Sequence, residues 1–193
     1  MVSLELSGRS QGSAWGTSFF VYKSAYVSAR RRDHGRDRAE FVTDEMSNGF
    51  AGDLAGILDA AAERNGITGK REKVEFVIDA VQRLPHVPDD VSRGFDDITK
   101  FSAETLVEGG GDCEDASVML AGVLQSEPFG DDMILIQPPG HKAVGILGSD
   151  DLPGTYWTLD GDRYYYIETT GVGWGISDLP DEYRDADAYL YDV

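Results

Sequence analysis

The spacing of apolar residues changes twice along the chain, and each change marks an expected switch of secondary structure. Phe19-Phe20-Val21-Tyr22 and Tyr26-Val27-Ser28-Ala29 are short runs rich in aromatic and β-branched residues, so both read as strands. Across residues 44–64 the apolar positions Ala51, Leu54, Ala55, Leu58 and Ala62 recur three or four apart, which predicts a helix stopped by Asn65-Gly66. Val74, Val77, Ile78 and Val81 predict a second helix over residues 69–84, ended by Pro85. Residues 86–99, with Pro88, Gly94 and several Asp, read as a loop. Gly109-Gly110-Gly111-Asp112-Cys113-Glu114-Asp115 opens a third helix, whose inner face is Ala116, Met119, Leu120, Val123 and Leu124. Beyond it the pattern turns to short β-rich runs at 133–136, 143–146, 155–159 and 164–167. The last two are joined by the hairpin-turn sequence Asp160-Gly161-Asp162-Arg163. Helices followed by antiparallel strands predict an α+β fold.

Composition narrows the class. A chain of 193 residues fits one domain, or one domain with an arm, and buries about 70% of its unfolded surface without help from disulfides or metal. The single cysteine, Cys113, allows no intramolecular disulfide and fits a reducing compartment. No apolar run approaches the roughly 20 residues of a membrane span, and Met1 to Leu6 lack the pattern of a secretory leader. A cytoplasmic protein without a membrane partner is therefore expected. The net charge is −18, from 17 basic and 35 acidic residues. That balance lacks the basic footprint of a phosphate-backbone binder and excludes nucleic acid as the main partner. Arg30-Arg31-Arg32, with Arg36 and Arg38, is the one basic cluster. It reads as a solvated strand end, with an acidic partner or a phosphate as the alternative. The acidic, lysine-poor composition is similar to that of salt-adapted proteins and points to a halophilic archaeon or its virus.

The chemistry converges on Cys113. Three glycines before it allow close backbone approach to a ligand. Asp112 suits an N-cap and Asp115 completes a capping box, which puts Cys113 in the first helical turn. There the free N–H groups and the helix dipole favour a thiolate and can steady an oxyanion. Asp112, Glu114 and Asp115 oppose the thiolate unless a cation lies closer. Of His34, His86 and His141, the last follows Pro138-Pro139-Gly140 and enters a strand, so its ring is held. Glu168 follows the strand at 164–167 and shares a face with Tyr164 and Tyr166 if Tyr165 and Ile167 face the core. Asp160 and Asp162 are rival carboxylates in a solvated turn. Taken singly, each residue has an ordinary reading: a small buried thiol, a loop histidine, one surface acid among 35. Jointly, Cys, His and carboxylate on helix, strand and strand fit nucleophilic catalysis. Tyr164, Tyr166 and Trp174 are candidates to line a groove for an extended chain, with core packing as the alternative. Oxygen ligands from Asp112, Glu114 and Asp115 offer a calcium site as a further alternative, without EF-hand spacing.

Three segments carry a family resemblance: Gly111-Asp112-Cys113-Glu114-Asp115-Ala116, Gly140-His141-Lys142-Ala143-Val144-Gly145 and Tyr166-Ile167-Glu168-Thr169-Thr170-Gly171. They resemble the core motifs of the transglutaminase-like superfamily, most closely its compact bacterial and archaeal transglutaminase-like cysteine peptidases. Phe76-Val77, Gln82-Arg83-Leu84, Pro88-Asp89 and Glu104-Thr105-Leu106 are similar to that family's lead-in, and the resemblance spans residues 73–180. It implies a papain-like core with helices packed on an antiparallel sheet and a nucleophile at a helix N-terminus. It further implies Cys113 as nucleophile, His141 as base and acid, and Glu168 as the orienting carboxylate, where many members have Asp. Protein-crosslinking members often carry Trp two residues after the histidine; here Ala143 stands there. Gln82 has the amide chemistry of a second oxyanion donor.

The expectation is a cysteine hydrolase, a thiol protease or amidase acting on a peptide or protein through Cys113, His141 and Glu168, with no cofactor. Residues 73–193 would form its catalytic core, and residues 1–72, with strands and a helix, an accessory arm or part of the same domain. Two alternatives stand beside it. One is a structural protein of a larger assembly, such as a viral particle or tail, docked through residues 1–72 and virion-associated. The other is a protein-crosslinking transglutaminase.

Overall fold

Alternation of side chains explains the first two elements of the computed structural model, which describes residues 1–10, 12–35, 37–88, 91, 98–149 and 152–193. Strands β1 (Val2–Ser10) and β2 (Ser13–Val21) form an antiparallel hairpin with Val2 opposite Val21. Trp15, Phe19 and Val21 turn inward from β2, while Leu4 and Leu6 of β1 pack partly beside them. The Trp15 indole N–H donates to Asp79 at 2.9 Å and its ring tilts against Phe76. The hairpin is thereby fastened to the helical layer.

Six α-helices follow among the described residues: α1 (Lys23–Arg30), α2 (Arg38–Ser47), α3 (Phe50–Arg64), α4 (Lys70–Gln82), α5 (Ser102–Glu108) and α6 (Cys113–Gln125). Two expectations are corrected here. The run Tyr26-Val27-Ser28-Ala29 lies in helix α1, not in a strand. A run of four such residues has no period of its own, and tertiary anchors decide it. Ala29 is buried, Tyr26 Oη donates to Glu108 at 3.0 Å, and Arg30 pairs with Glu104 and Glu108. The helix expected over residues 44–64 is two helices, divided where Gly49 takes φ 85° and Asn48 Oδ1 accepts the Phe50 N–H. Part of the predicted loop, residues 89–90 and 92–97, lies outside the described residues.

The C-terminal half forms a sheet of β3 (Met133–Gln137), β4 (Ala143–Leu147), β5 (Tyr156–Leu159), β6 (Asp162–Ile167) and β7 (Tyr189–Asp192). Its order is β5-β6-β4-β3-β7 and every pair is antiparallel. The fold is α+β, as expected. Helix α6 is buried from Asp115 to Leu124, surrounded by α2, α3, α4 and α5 and packed on β3 and β4. One apolar core joins Trp15, Phe41, Leu54, Phe76, Leu120, Met133 and Tyr165, so it draws on both sides of residue 72. Each such fully buried side chain contributes about 1.5–3 kcal/mol of transfer free energy. Ile134, Ile136, Tyr164 and Tyr166 face the other side of the sheet, under Leu179, Ala188 and Leu190 of the C-terminal segment. This alternation sends Tyr165 and Ile167 to the main core and leaves Glu168 on the side of Tyr166, as anticipated. No helix among the described residues is long and apolar enough to cross a membrane.

Candidate active site

Sheet register brings two of the predicted residues together. Val144 pairs with Ile167, so the start of β4 lies beside the end of β6. His141 precedes β4 and Glu168 follows β6. The imidazole Nε2 stands 3.0 Å from both Glu168 oxygens. Glu168 is itself held from three further donors: Tyr166 Oη at 2.8 Å, the Thr170 N–H at 2.9 Å and Thr170 Oγ1 at 2.7 Å. Burial works to raise this carboxyl, but the His141 bond and then the Thr170 bonds outweigh it and hold it down at about 2. An ionised Glu168 fixes the proton on Nε2 and leaves Nδ1 as the basic nitrogen.

The loop before Cys113 is built by the chain for itself. The Gly111 N–H donates to Pro85 O and Gly111 O accepts from the Val87 N–H, which ties this loop to the end of α4. Gly110 takes φ 151°, and a Cβ there would meet the Pro85 carbonyl; one at Gly111 would meet the Asp115 carboxylate. The glycines therefore admit the protein's own backbone and carboxylate, rather than a ligand as the sequence suggested. The capping box forms as expected: Asp112 Oδ1 accepts the Glu114 and Asp115 N–H groups, and Asp115 Oδ2 accepts the Asp112 N–H. Asp115 is fully buried, accepts the Lys100 N–H at 2.6 Å and forms an ion pair with Lys100 Nζ at 3.3 Å. Asp112, Glu114 and Asp115 thus serve different partners and do not converge on one point, which removes the calcium reading. No metal-holding cluster of His, Cys, Asp or Glu occurs among the described residues.

Cys113 sits at the first position of α6, with its thiol turned to Glu114. Sγ–H donates to Glu114 Oε2 at 3.1 Å. Glu114 Oε1 in turn pairs with Lys142 Nζ at 3.2 Å and Arg38 at 3.9 Å. Burial, then the Glu114 carboxylate, push the thiol well above its ordinary range, while a backbone bond from Lys142 acts the other way. Burial, joined by the opposition anticipated from the flanking acids, therefore prevails over the helix terminus in this resting arrangement. Arg38 reaches this site from the basic cluster. Arg30 and Arg32 instead pair with Glu104, Glu108 and Asp44, so these arginines bind the chain's own acids. Arg36 lies outside the described residues.

A cavity of about 560 Å³ opens on Cys113, His141 and Glu168. No protein-family model matches the chain, and no curated protein matches it. The cavity's size suits a peptide-sized or drug-sized group. Its walls include residues the sequence did not single out. Tyr183, in the 3₁₀ turn Asp181–Tyr183, lays its ring parallel to His141 with centroids 5.2 Å apart. Burial and then Glu182 raise its phenol to about 12, so it stays neutral at physiological pH. Trp174 lines the cavity, whereas Tyr164 and Tyr166 are buried and do not line it. His86 also faces the cavity, while His34 lies elsewhere, on Glu104. Asp160 and Asp162 remain exposed in their turn.

Gln82 is corrected as an oxyanion donor. Its Nε2 donates to Glu168 O at 2.8 Å and Trp174 O at 2.9 Å, and its Oε1 accepts the Gly173 N–H. Both amide hydrogens are spent, so Gln82 clamps the 168–174 segment instead. The sequence showed an amide of suitable chemistry on this helix, but neither its burial nor the direction of its donors. What remains on one cavity is a thiol at the first position of α6 and a carboxylate-backed imidazole. Those are the parts needed for acyl transfer.

Proposed function

We propose that this protein is a cysteine hydrolase that cleaves peptide or protein amides through Cys113, His141 and Glu168, on a papain-like, transglutaminase-like core. The observation that carries the reading is the Nε2 bond from His141 to a buried, ionised Glu168, with Cys113 on the same cavity. The Cys113 proton passes to Nδ1 of His141, and the thiolate attacks the amide carbon. The C–S bond forms and the carbonyl pair moves to oxygen, giving an oxyanion at the Cys113 backbone N–H; the C=O bond then re-forms as the C–N bond breaks. His141 gives its proton to the leaving amine. It then takes one from water, whose oxygen displaces the thiol from the thioester and releases the acid. Tyr183 keeps the imidazole plane fixed, and Glu168 keeps its tautomer. Water needs no dedicated subsite, so hydrolysis is preferred to amine transfer, and Ala143 in the place of the crosslinking members' Trp fits that preference.

One observation favours a second reading, a scaffold that keeps the fold without turnover: the thiol is protonated and turned to Glu114. A test that separates the two is acylation of the whole chain by a small activated ester, read by intact mass and peptide mapping. The hydrolase reading expects acylation at Cys113 that is slowed about 10²–10⁴-fold in His141→Ala. Equal acylation rates in the two proteins would leave the scaffold reading standing.

A further inference from the structure

Away from the cysteine, two cavities adjoin between β2, α1, α2 and α3, sharing Ala25, Phe50 and Asp53 as walls. The first, about 220 Å³, is polar and is lined by Ser28, Arg32, Glu45 and Asn48. The second, about 260 Å³, is apolar and is lined by Phe19, Phe20, Tyr22, Leu54 and Ile57. Phe20 and Tyr22 are 59% and 64% exposed, which is unusual for adjacent aromatics on a surface otherwise dominated by acids.

The charges at the polar end are unevenly answered. Arg32 is engaged, 3.5 Å from Asp44 and with its guanidinium over the Phe101 ring. Glu45 is 1% exposed; its Oε1 accepts the Ser102 N–H at 3.0 Å, and its Oε2 is buried with no hydrogen-bond partner among the described residues. Asp53 is exposed and has no ion pair there either. An unanswered buried carboxylate oxygen is costly, and a cationic donor removes that cost.

We propose that the adjoining cavities bind an organic ammonium group with an apolar chain, its head between Glu45 and Asp53 and its body against Phe20, Tyr22, Leu54 and Ile57. An ammonium supplies three donors where two carboxylates offer acceptors, and an anion of the same shape meets like charge. Burial chiefly raises Glu45, the Ser102 bonds and Arg32 lower it, and Asp44 raises it again, for a value of about 7. Entry of the cation favours the ionised acid. Binding near neutral pH therefore releases a proton, and affinity climbs as pH rises through that value.

Calorimetry on the full chain, with n-hexylammonium, n-hexanol and n-hexanoate as probes, tests this. Molar salt shortens the screening length to about 3 Å, so the protein's overall charge cannot supply the preference. Hexylammonium should bind at least about tenfold tighter than hexanol, and hexanoate weakest. Glu45→Gln and Asp53→Asn should each weaken hexylammonium by about tenfold. Asp53 is exposed, so its variant carries the test if Glu45→Gln fails to fold. Cys113→Ala should bind as the parent does, which keeps this result independent of any acyl transfer. Competition by a lysine-containing tripeptide would assign the ammonium to a protein side chain, and failure to compete would assign it to a free amine. Equal binding of hexanol and hexylammonium, or unchanged affinity in Asp53→Asn, overturns the proposal.

Discussion

Two histidines in this protein face carboxylates, and they do different things. His34 Nε2 lies 2.7 Å from Glu104, a fully buried residue, and its Nδ1 lies 2.8 Å from the Arg32 carbonyl. Its ring meets Phe101 edge-on, and Glu104 also accepts the Phe101 N–H that begins α5. Both ring nitrogens are thus committed to holding the loop after α1 against α5. His141 has the same partner chemistry on Nε2, at 3.0 Å from Glu168, but its ring lines a cavity shared with a thiol. A histidine–carboxylate pair is therefore a structural clasp where both nitrogens are occupied. Where one nitrogen is left over and a thiol faces the same space, the pair has the arrangement that a proton carrier needs.

The sharpest way to break that comparison is to remove each ring. His141→Ala should lower acyl transfer about 10²–10⁴-fold with little change in unfolding free energy. His34→Ala should leave turnover within a few-fold, yet cost about 1–3 kcal/mol in urea unfolding by stranding Glu104. Equal kinetic losses in both would erase the distinction.

Next in size is the carboxylate behind His141. Glu168 is lowered from 4.5 to about 2 in the folded protein. Its contribution is therefore fully present above the unfolded value and is lost as pH falls toward 2. On the order of 3 kcal/mol is at stake. Unfolding measured from pH 7 to pH 3 should show stability falling below about pH 4.5, and Glu168→Gln should flatten that fall. The same variant frees the tautomer of His141, so its turnover should drop even at pH 7. A parallel pH profile in parent and variant would detach Glu168 from the site. The smallest effect belongs to Tyr183. Tyr183→Phe keeps the ring on His141 and should leave kcat within about twofold, while Tyr183→Ala unstacks it and should cost several-fold, an aromatic contact of about 1 kcal/mol.

The sequence announced Cys113, His141 and Glu168 because each sits at the boundary of an element, where capping chemistry and strand periodicity are local signals. It also showed the acids that oppose the thiol. It did not reveal Tyr183, whose place depends on the C-terminal segment folding back over the sheet, nor the direction of the Gln82 amide, which depends on the 168–174 segment. Strand β1 shows in the alternation of Val2, Leu4 and Leu6. Helix α5, seven residues long, has too few turns to establish a period. Helix α1 runs against its local pattern, because Tyr26 and Val27 favour strands while the ion pairs of Arg30 to α5 are long-range and invisible in that pattern.

The central claim is that Cys113 is an acyl-transfer nucleophile parked on Glu114 and served by His141. The pH dependence of Cys113 alkylation in the parent, Glu114→Gln, His141→Ala and the double variant tests it most directly. The account predicts slow labelling of the parent near neutral pH and a profile displaced to lower pH in Glu114→Gln. It predicts loss of that displacement when His141 is also removed. Labelling of Glu114→Gln that is indifferent to His141 would contradict it, since the thiol would then have no proton acceptor in the site.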